Sequence, residues 1–374
     1  MFFSITQKKD IRFLNHQSLG DFYFNHDDGW EINKNSFFKG YKTPNISHGS
    51  WTNVHLINNG EIKISHDELR SYPLWWDDDS KILTNLDGKG ESIWADTKVA
   101  IDKQKNLIKS NVDLVDSSYE SIITVDEFSE WVIDNLSQKL NDFNLKYGEE
   151  ILNFFPTGGI DTTTLFALLK YNNACQNINM LFNEYFYYDD FCNKNVETIR
   201  KLHWAYNQTH HWKDRSFLLS GAYGDEFWFR GPYIISLWAA WHDLDLFALL
   251  RKRNGYHVGY YLKEKNIKVF QKSFSERYQI QEMYPTYESL KSQILNINAN
   301  DHQHWHLNNT LHWTPFKDLE ITNKILSLPF DDILDHIIDA NLNKIVIEKM
   351  SPDVIKIISQ TKNVNSRDHL WKLI

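Results

Sequence analysis

Cysteine is scarce in this chain: two in 374 residues, Cys175 and Cys192, with neither CxxC spacing nor a disulfide framework. That usage suits a reducing cytoplasm and excludes a disulfide-stapled scaffold. A basic block is missing too. The formal net charge is −9, and no Lys/Arg stripe is present to track a phosphodiester backbone, so nucleic acid is not an expected partner. Long apolar runs are also absent. The opening stretch MFFSITQKKDIRF lacks the apolar core of a secretory signal, and no segment reaches membrane-spanning length. The expectation is a soluble cytoplasmic protein without a membrane partner, in which sequons such as those at Asn45, Asn207 and Asn308 carry no meaning. Two familiar phosphate-binding signatures, GxxxxGK[ST] and GxGxxG, are likewise missing.

Aromatic residues, in contrast, are plentiful. They make up 15% of the chain, 14 of them Trp, which points to well-filled cores or stacking surfaces rather than disorder. The length allows about two domains. Residues 1–123 look strand-rich, with short alternating runs at 51–57, 61–65 and 80–86 separated by Asn-, Gly- and Asp-rich turns. At Thr124 the period changes. Thr124 and Glu127 fit a capping box, and Phe128, Trp131, Val132, Leu136, Leu140 and Phe143 recur at helical spacing up to Tyr147-Gly148. The boundary of the second domain, 124–374, falls just before that helix. A strand–turn–helix over 151–171 follows, with further apolar runs at 178–188 and 216–227 and a helical pattern through Val196, Ile199 and Leu202 between them. Strands alternating with helices predict a parallel α/β sheet. Residues 232–374 read as mainly helical. No internal repeat or low-complexity segment is present.

The stretch ILNFFPTGGIDTTTLFALL, 151–169, carries the chemistry. A buried strand hands over to a helix through Gly158 and Gly159, which permit a turn tight enough to aim several N–H groups at one anion, where the helix dipole favours negative charge. Hydroxyls of Thr157, Thr162 and Thr163 can add donors. Asp161 would repel a phosphate directly, so it suggests a bridging Mg²⁺. Taken alone, a plain glycine turn with Asp161 as a helix cap reads equally well.

PTGGIDTTT resembles the SGGxDS signature of the ATP pyrophosphatase, or PP-loop, superfamily, with Thr157 and Thr162 in place of its serines. Within that superfamily FLLSGAYGDEFWFRGP, 217–232, is similar to the LSGxGGDE motif of asparagine synthetase and β-lactam synthetase: Ser220, Gly221, Gly224, Asp225 and Glu226 match, and Ala222 and Tyr223 depart. WTPFKDLEITNKILSLP, 313–329, is similar to the R-x-PFLD segment, and SQTKN, 359–363, to the R-x-K segment. In the front half, ISHDELRSYPLWW, 64–76, resembles the RDxxGxxPLYY strand pair of the class II glutamine amidotransferase domain. The implied fold is an N-terminal strand-rich Ntn-like α+β sandwich followed by a parallel-sheet PP-loop domain with a helical C-terminal part. The front domain has no cysteine to serve as nucleophile. It is expected to persist as scaffold, without glutaminase activity, as in β-lactam synthetase.

The resemblance implies an ATP-dependent ligase that adenylates a small-molecule carboxylate, releases pyrophosphate, and passes the acyl group to ammonia or an amine. It assigns Mg²⁺ to Asp161 and Asp225, pyrophosphate to Thr157, Gly158, Gly159 and Thr162, and further ATP contacts to Ser220 and Gly221. Adenine falls to the backbone near Phe154, Leu181 and Phe182, and the adenylation transition state to Lys362. Leu311 and Trp313 stand where the family carries an acid and an arginine, and the link between the second and third strands is short, so the acceptor half departs more than the ATP half. A homodimer is an allowed assembly. Rival readings are a retired nucleotide- or protein-binding member, and a PP-loop enzyme activating a carbonyl or ureido oxygen. The histidines at 302, 304, 306 and 312 read as solvated or aromatic-packed, and His210-His211 carries no assignment.

Overall fold

The computed structural model describes residues 3–45, 48–57, 60–67, 74–85, 90–93, 97–111, 122–154, 159–180, 216–230 and 310–355. Over them the chain builds two six-stranded antiparallel sheets, a four-stranded parallel sheet and helices against it. The first sheet runs β10 (Glu91–Ile93), β8 (Leu74–Asp77), β9 (Ile82–Thr84), β1 (Phe3–Thr6), β3 (Phe22–His26), β2 (Asn15–Leu19). The second runs β12 (Leu107–Asn111), β11 (Thr97–Ile101), β7 (Ile62–His66), β6 (Gly49–Leu56), β5 (Ser36–Lys42), β4 (Glu31–Asn33). The alternating runs noted in the sequence become β6, β7 and β9. Alternation places one set of side chains inward. Phe24 of β3 meets Phe37 of β5 at 4.9 Å between ring centroids, and Trp30 meets Phe24 edge-on at 4.8 Å, so the sheets share an apolar interior.

Helix α1 (Val125–Tyr147) begins as its capping box predicts. Thr124 Oγ1 accepts from the Glu127 N–H at 3.2 Å, and the Glu127 carboxylate accepts from the Thr124 N–H at 2.7 Å. Phe128, Val132, Leu136, Leu140 and Phe143 form its buried stripe.

The parallel sheet has the order β14 (Asn179–Met180), β13 (Ile151–Phe154), β15 (Ser216–Leu219), β16 (Thr310–Trp313). Within 232–374, read as mainly helical, β16 is one short strand among described residues that are otherwise largely helical. Four residues, TLHW, are too few for periodicity to separate strand from helix, and only pairing with β15 decides it. Helices α2 (Ile160–Tyr171), α3 (Gly224–Phe227), α4 (Leu319–Leu326), α5 (Phe330–Asp339) and α6 (Asn341–Met350) follow their strands. α6 packs on α2 and α1, with Asn343 donating to Thr164 Oγ1 at 3.2 Å. No helix among the described residues is long and apolar enough to cross a membrane.

An aromatic cluster lies where the antiparallel part meets α1 and the parallel sheet. Tyr41 meets Phe217 edge-on at 5.3 Å, and Phe143 lies 4.9 Å from Phe217 and 4.8 Å from Trp313. Each such pair adds about 0.5–1.5 kcal/mol beyond its burial. Two ion pairs cross the neighbouring space, Lys317 with Asp67 and Lys139 with Asp318. Burial pushes the Asp67 carboxyl up, but the Lys317 ammonium more than offsets this and holds it below the usual carboxylate range. Removing one partner would strand a buried charge, at a cost of about 3–5 kcal/mol.

Candidate functional site

From β13 the chain passes to β14 on one side and then to β15 on the other, so the strand order reverses between β13 and β15. The crevice beyond the carboxyl ends at such a reversal is where open α/β sheets take ligands. Both connections leaving that point carry the motifs: Gly159 to Thr162 after β13, and Ser220 to Arg230 after β15.

Gly159 is the extended N-cap of α2, φ −71° and ψ 156°, and provides no side chain to cap it; Asp161 is the acid of the first turn. Thr162 is buried beneath the second loop. Thr163 corrects an expectation: its hydroxyl donates to Gly159 O at 2.8 Å, as that of Thr164 does to Ile160 O at 2.8 Å. A threonine inside a helix readily turns its hydroxyl to the carbonyl four residues back, which removes Thr163 from the donor set. Phe154 is fully buried with its ring stacked on Phe166 at 6.3 Å, so only its backbone reaches the sheet's end.

The second loop is built by short-range bonds and one close approach. Ser220 N–H donates to Trp313 O at 3.0 Å, Ala222 N–H to Ser220 Oγ at 3.3 Å, and Thr314 Oγ1 to Ala222 O at 2.7 Å. A Cβ on Gly221 would lie 2.6 Å from Thr162 N, and one on Gly224 would lie 2.3 Å from Asp161 Cγ. Both glycines are therefore required for the loop to lie on the start of α2. Tyr223, between them, holds φ 65°, a left-handed conformation that costs a side-chain-bearing residue about 1–2 kcal/mol. Gly224→Ala is expected to push Asp161 out of place and to lower stability by about 1–3 kcal/mol, the usual cost of overpacking. Thermal unfolding measures it; an unchanged midpoint would mean that the contact is looser than described.

The two loops meet through a residue that the motifs do not single out. Arg230 Nη2 contacts Asp161 Oδ1 at 2.5 Å and Asp225 Oδ1 at 2.7 Å, with side-chain exposures of 13% for Arg230, 17% for Asp161 and 60% for Asp225. The backbone of residues 227–230 is held from several directions. Arg230 N–H donates to Asp225 O at 2.7 Å, Thr322 Oγ1 to Phe227 O at 2.9 Å, and His336 Nε2 to Trp228 O at 2.5 Å. Leu342 N–H donates to His336 Nδ1 at 3.2 Å, which fixes the ring as the neutral tautomer protonated on Nε2. Burial, aided by the charge of Arg230, lowers His336 from 6.5 to about 3. The only sequence signal for Arg230 is a cation five positions after Asp225, too ordinary to be read as a site.

Asp161 and Asp225 thus converge on one cationic nitrogen, with the guanidinium as stand-in ion. Among the described residues no group of three or more His, Cys, Asp or Glu is placed to hold a metal. Two carboxylates fit a magnesium ion whose other ligands are phosphate oxygens and water. Leu311 and Trp313 are buried in the core, Trp313 edge-on to His48 at 6.5 Å, so neither side chain is presented to the crevice. Thr157, Gly158, Leu181, Phe182 and Lys362 lie outside the described residues, as do His210, His211, His302, His304 and His306. In comparisons with known proteins, no family model and no curated protein matches the chain.

Proposed function

We propose that the chain is an ATP-dependent, AMP- and pyrophosphate-forming ligase of asparagine synthetase-like architecture, with an amidotransferase-like front half that lacks its nucleophile. The observation that carries this reading is the meeting of Asp161 and Asp225, from two separate strand-to-helix connections, at the reversal point of a parallel sheet. Magnesium bound there would neutralise charge on the departing pyrophosphate. Gly159 and the first turn of α2, with Thr157, Gly158 and Thr162 by resemblance, would hold the phosphate chain of ATP at the positive end of the helix dipole. The substrate carboxylate attacks the α-phosphorus, the bond to the bridging oxygen breaks, and pyrophosphate leaves; ammonia or an amine then displaces AMP. By resemblance, Lys362 would stabilise charge in the first step.

A second reading, a nucleotide-binding protein without turnover, is favoured by one observation. Leu311 and Trp313, where the resemblance calls for an acid and an arginine, are buried in the core. One experiment separates the two: pyrophosphate release from ATP with Mg²⁺, screened over amino and keto acids. Release with at least one acid supports the ligase; ATP binding without release supports the second reading; neither binding nor release removes both. Because residues 1–123 contain no cysteine, glutamine hydrolysis is expected to be absent throughout, and detecting it would overturn the scaffold assignment.

A further inference from the structure

We propose that Arg230 is the resident counter-ion of the Asp161–Asp225 pair and makes the site accept a divalent metal joined to a phosphate chain in preference to the bare metal. The identity of the anion rests on the nucleotide reading above; the exclusion of bare metal by Arg230 does not.

The geometry supplies the competition. The same nitrogen, Arg230 Nη2, contacts one oxygen of each carboxylate, at 2.5 and 2.7 Å. These are oxygens that a magnesium ion would need. Arg230 and Asp161 are largely sheltered from solvent, so their attraction is screened less than that of a surface pair. A bare divalent ion must break both contacts and leave a guanidinium close to a second positive charge. The three side chains together carry one formal negative charge, which the bare ion would invert. A metal that arrives on a phosphate chain brings acceptors for the displaced donors, and the planar guanidinium fork matches phosphate oxygens. The backbone around Arg230 is pinned by Thr322 and His336, so the exchange is a side-chain movement. Metal and phosphate then enter together because each makes room for the other.

The test uses the full chain with Mn²⁺ as a paramagnetic probe, titrated by electron spin resonance without nucleotide and then with inorganic pyrophosphate. Wild type is expected to bind Mn²⁺ at least tenfold more tightly when pyrophosphate is present. Arg230→Gln should bind Mn²⁺ alone at least tenfold more tightly than wild type, and adding Asp161→Asn should abolish that gain. Its thermal midpoint should rise with Mg²⁺ alone, whereas that of wild type should not. Equal Mn²⁺ affinity in wild type and Arg230→Gln would overturn the proposal. If the variant does not fold, wild type still decides it: Mn²⁺ binding unaffected by pyrophosphate overturns the coupling. Absence of pyrophosphate release with every acid tested, alongside the expected Mn²⁺ pattern, would sink the ligase reading and leave the role of Arg230 standing.

Discussion

Acidification from pH 7.5 to 5 is expected to remove about 4 kcal/mol of folding stability, a large share of the roughly 5–15 kcal/mol that an ordinary domain possesses. The effect comes from two buried neutral histidines. Burial lowers His48 from 6.5 to about 3, with Lys139 and Lys317 adding to it and Asp318 and Asp67 opposing; burial and Arg230 do the same to His336. Because the folded-state values lie below the unfolded one, the unfolded chain takes up these protons first as pH falls. Stability is unaffected above about pH 7 and is lost progressively from 6.5 toward 3, at about 1.4 kcal/mol per pH unit for each ring. The geometry at His336 gives the reason: Nδ1 accepts from Leu342 N–H while Nε2 donates to Trp228 O, so a second proton has no acceptor and displaces a donor. Both nitrogens of His48 are buried without a hydrogen-bond partner among the described residues. The buried carboxylates Asp67 and Asp318, held below 3.8 because Lys317 and Lys139 outweigh their burial, contribute in the same direction only at still lower pH. Urea unfolding at a series of pH values measures the slope, and His336→Gln should roughly halve it. A stability that is flat between pH 7.5 and 5 would contradict the buried neutral rings.

Replacing Asp161 with alanine is expected to reduce pyrophosphate release by about 10³-fold or more, since metal neutralisation of a leaving pyrophosphate is worth several kcal/mol. Asp161 is the sheltered member of the pair and Asp225 the exposed one, so Asp225→Asn should cost less. Circular dichroism of the variant guards against a folding artefact. Release that persists undiminished in folded Asp161→Ala protein would show that the metal is held elsewhere.

Local features of the fold were legible in the sequence wherever the physics is local. Thr124 and Glu127 are three residues apart and cap one helix end, so spacing suffices to find them. β6 and β7 announce themselves by alternation, and β13 by its short apolar run before the glycine turn. The candidate site was legible in part. Asp161 and Asp225 stand out because each follows a short apolar strand and sits among glycines. Thr163 was misread because its type permits a phosphate donor, whereas the helix gives its hydroxyl a nearer acceptor in Gly159 O. Leu311 and Trp313 look like lost functional positions in the sequence, and in the folded chain they fill the core.

What the amino-acid order determined by itself is therefore the set of pieces: a strand-rich front half, a capped helix, and strands alternating with helices that leave glycine-bearing turns at their ends. Tertiary structure alone decided how those pieces meet. Arg230 lies 69 residues from Asp161 and His336 lies 108 from Trp228, and β16 becomes a strand only by pairing with β15. Periodicity and capping act over a few residues. A salt bridge, a buried imidazole and a sheet edge are chosen by the energy of burying one group against another, and that energy is defined only once the chain has folded.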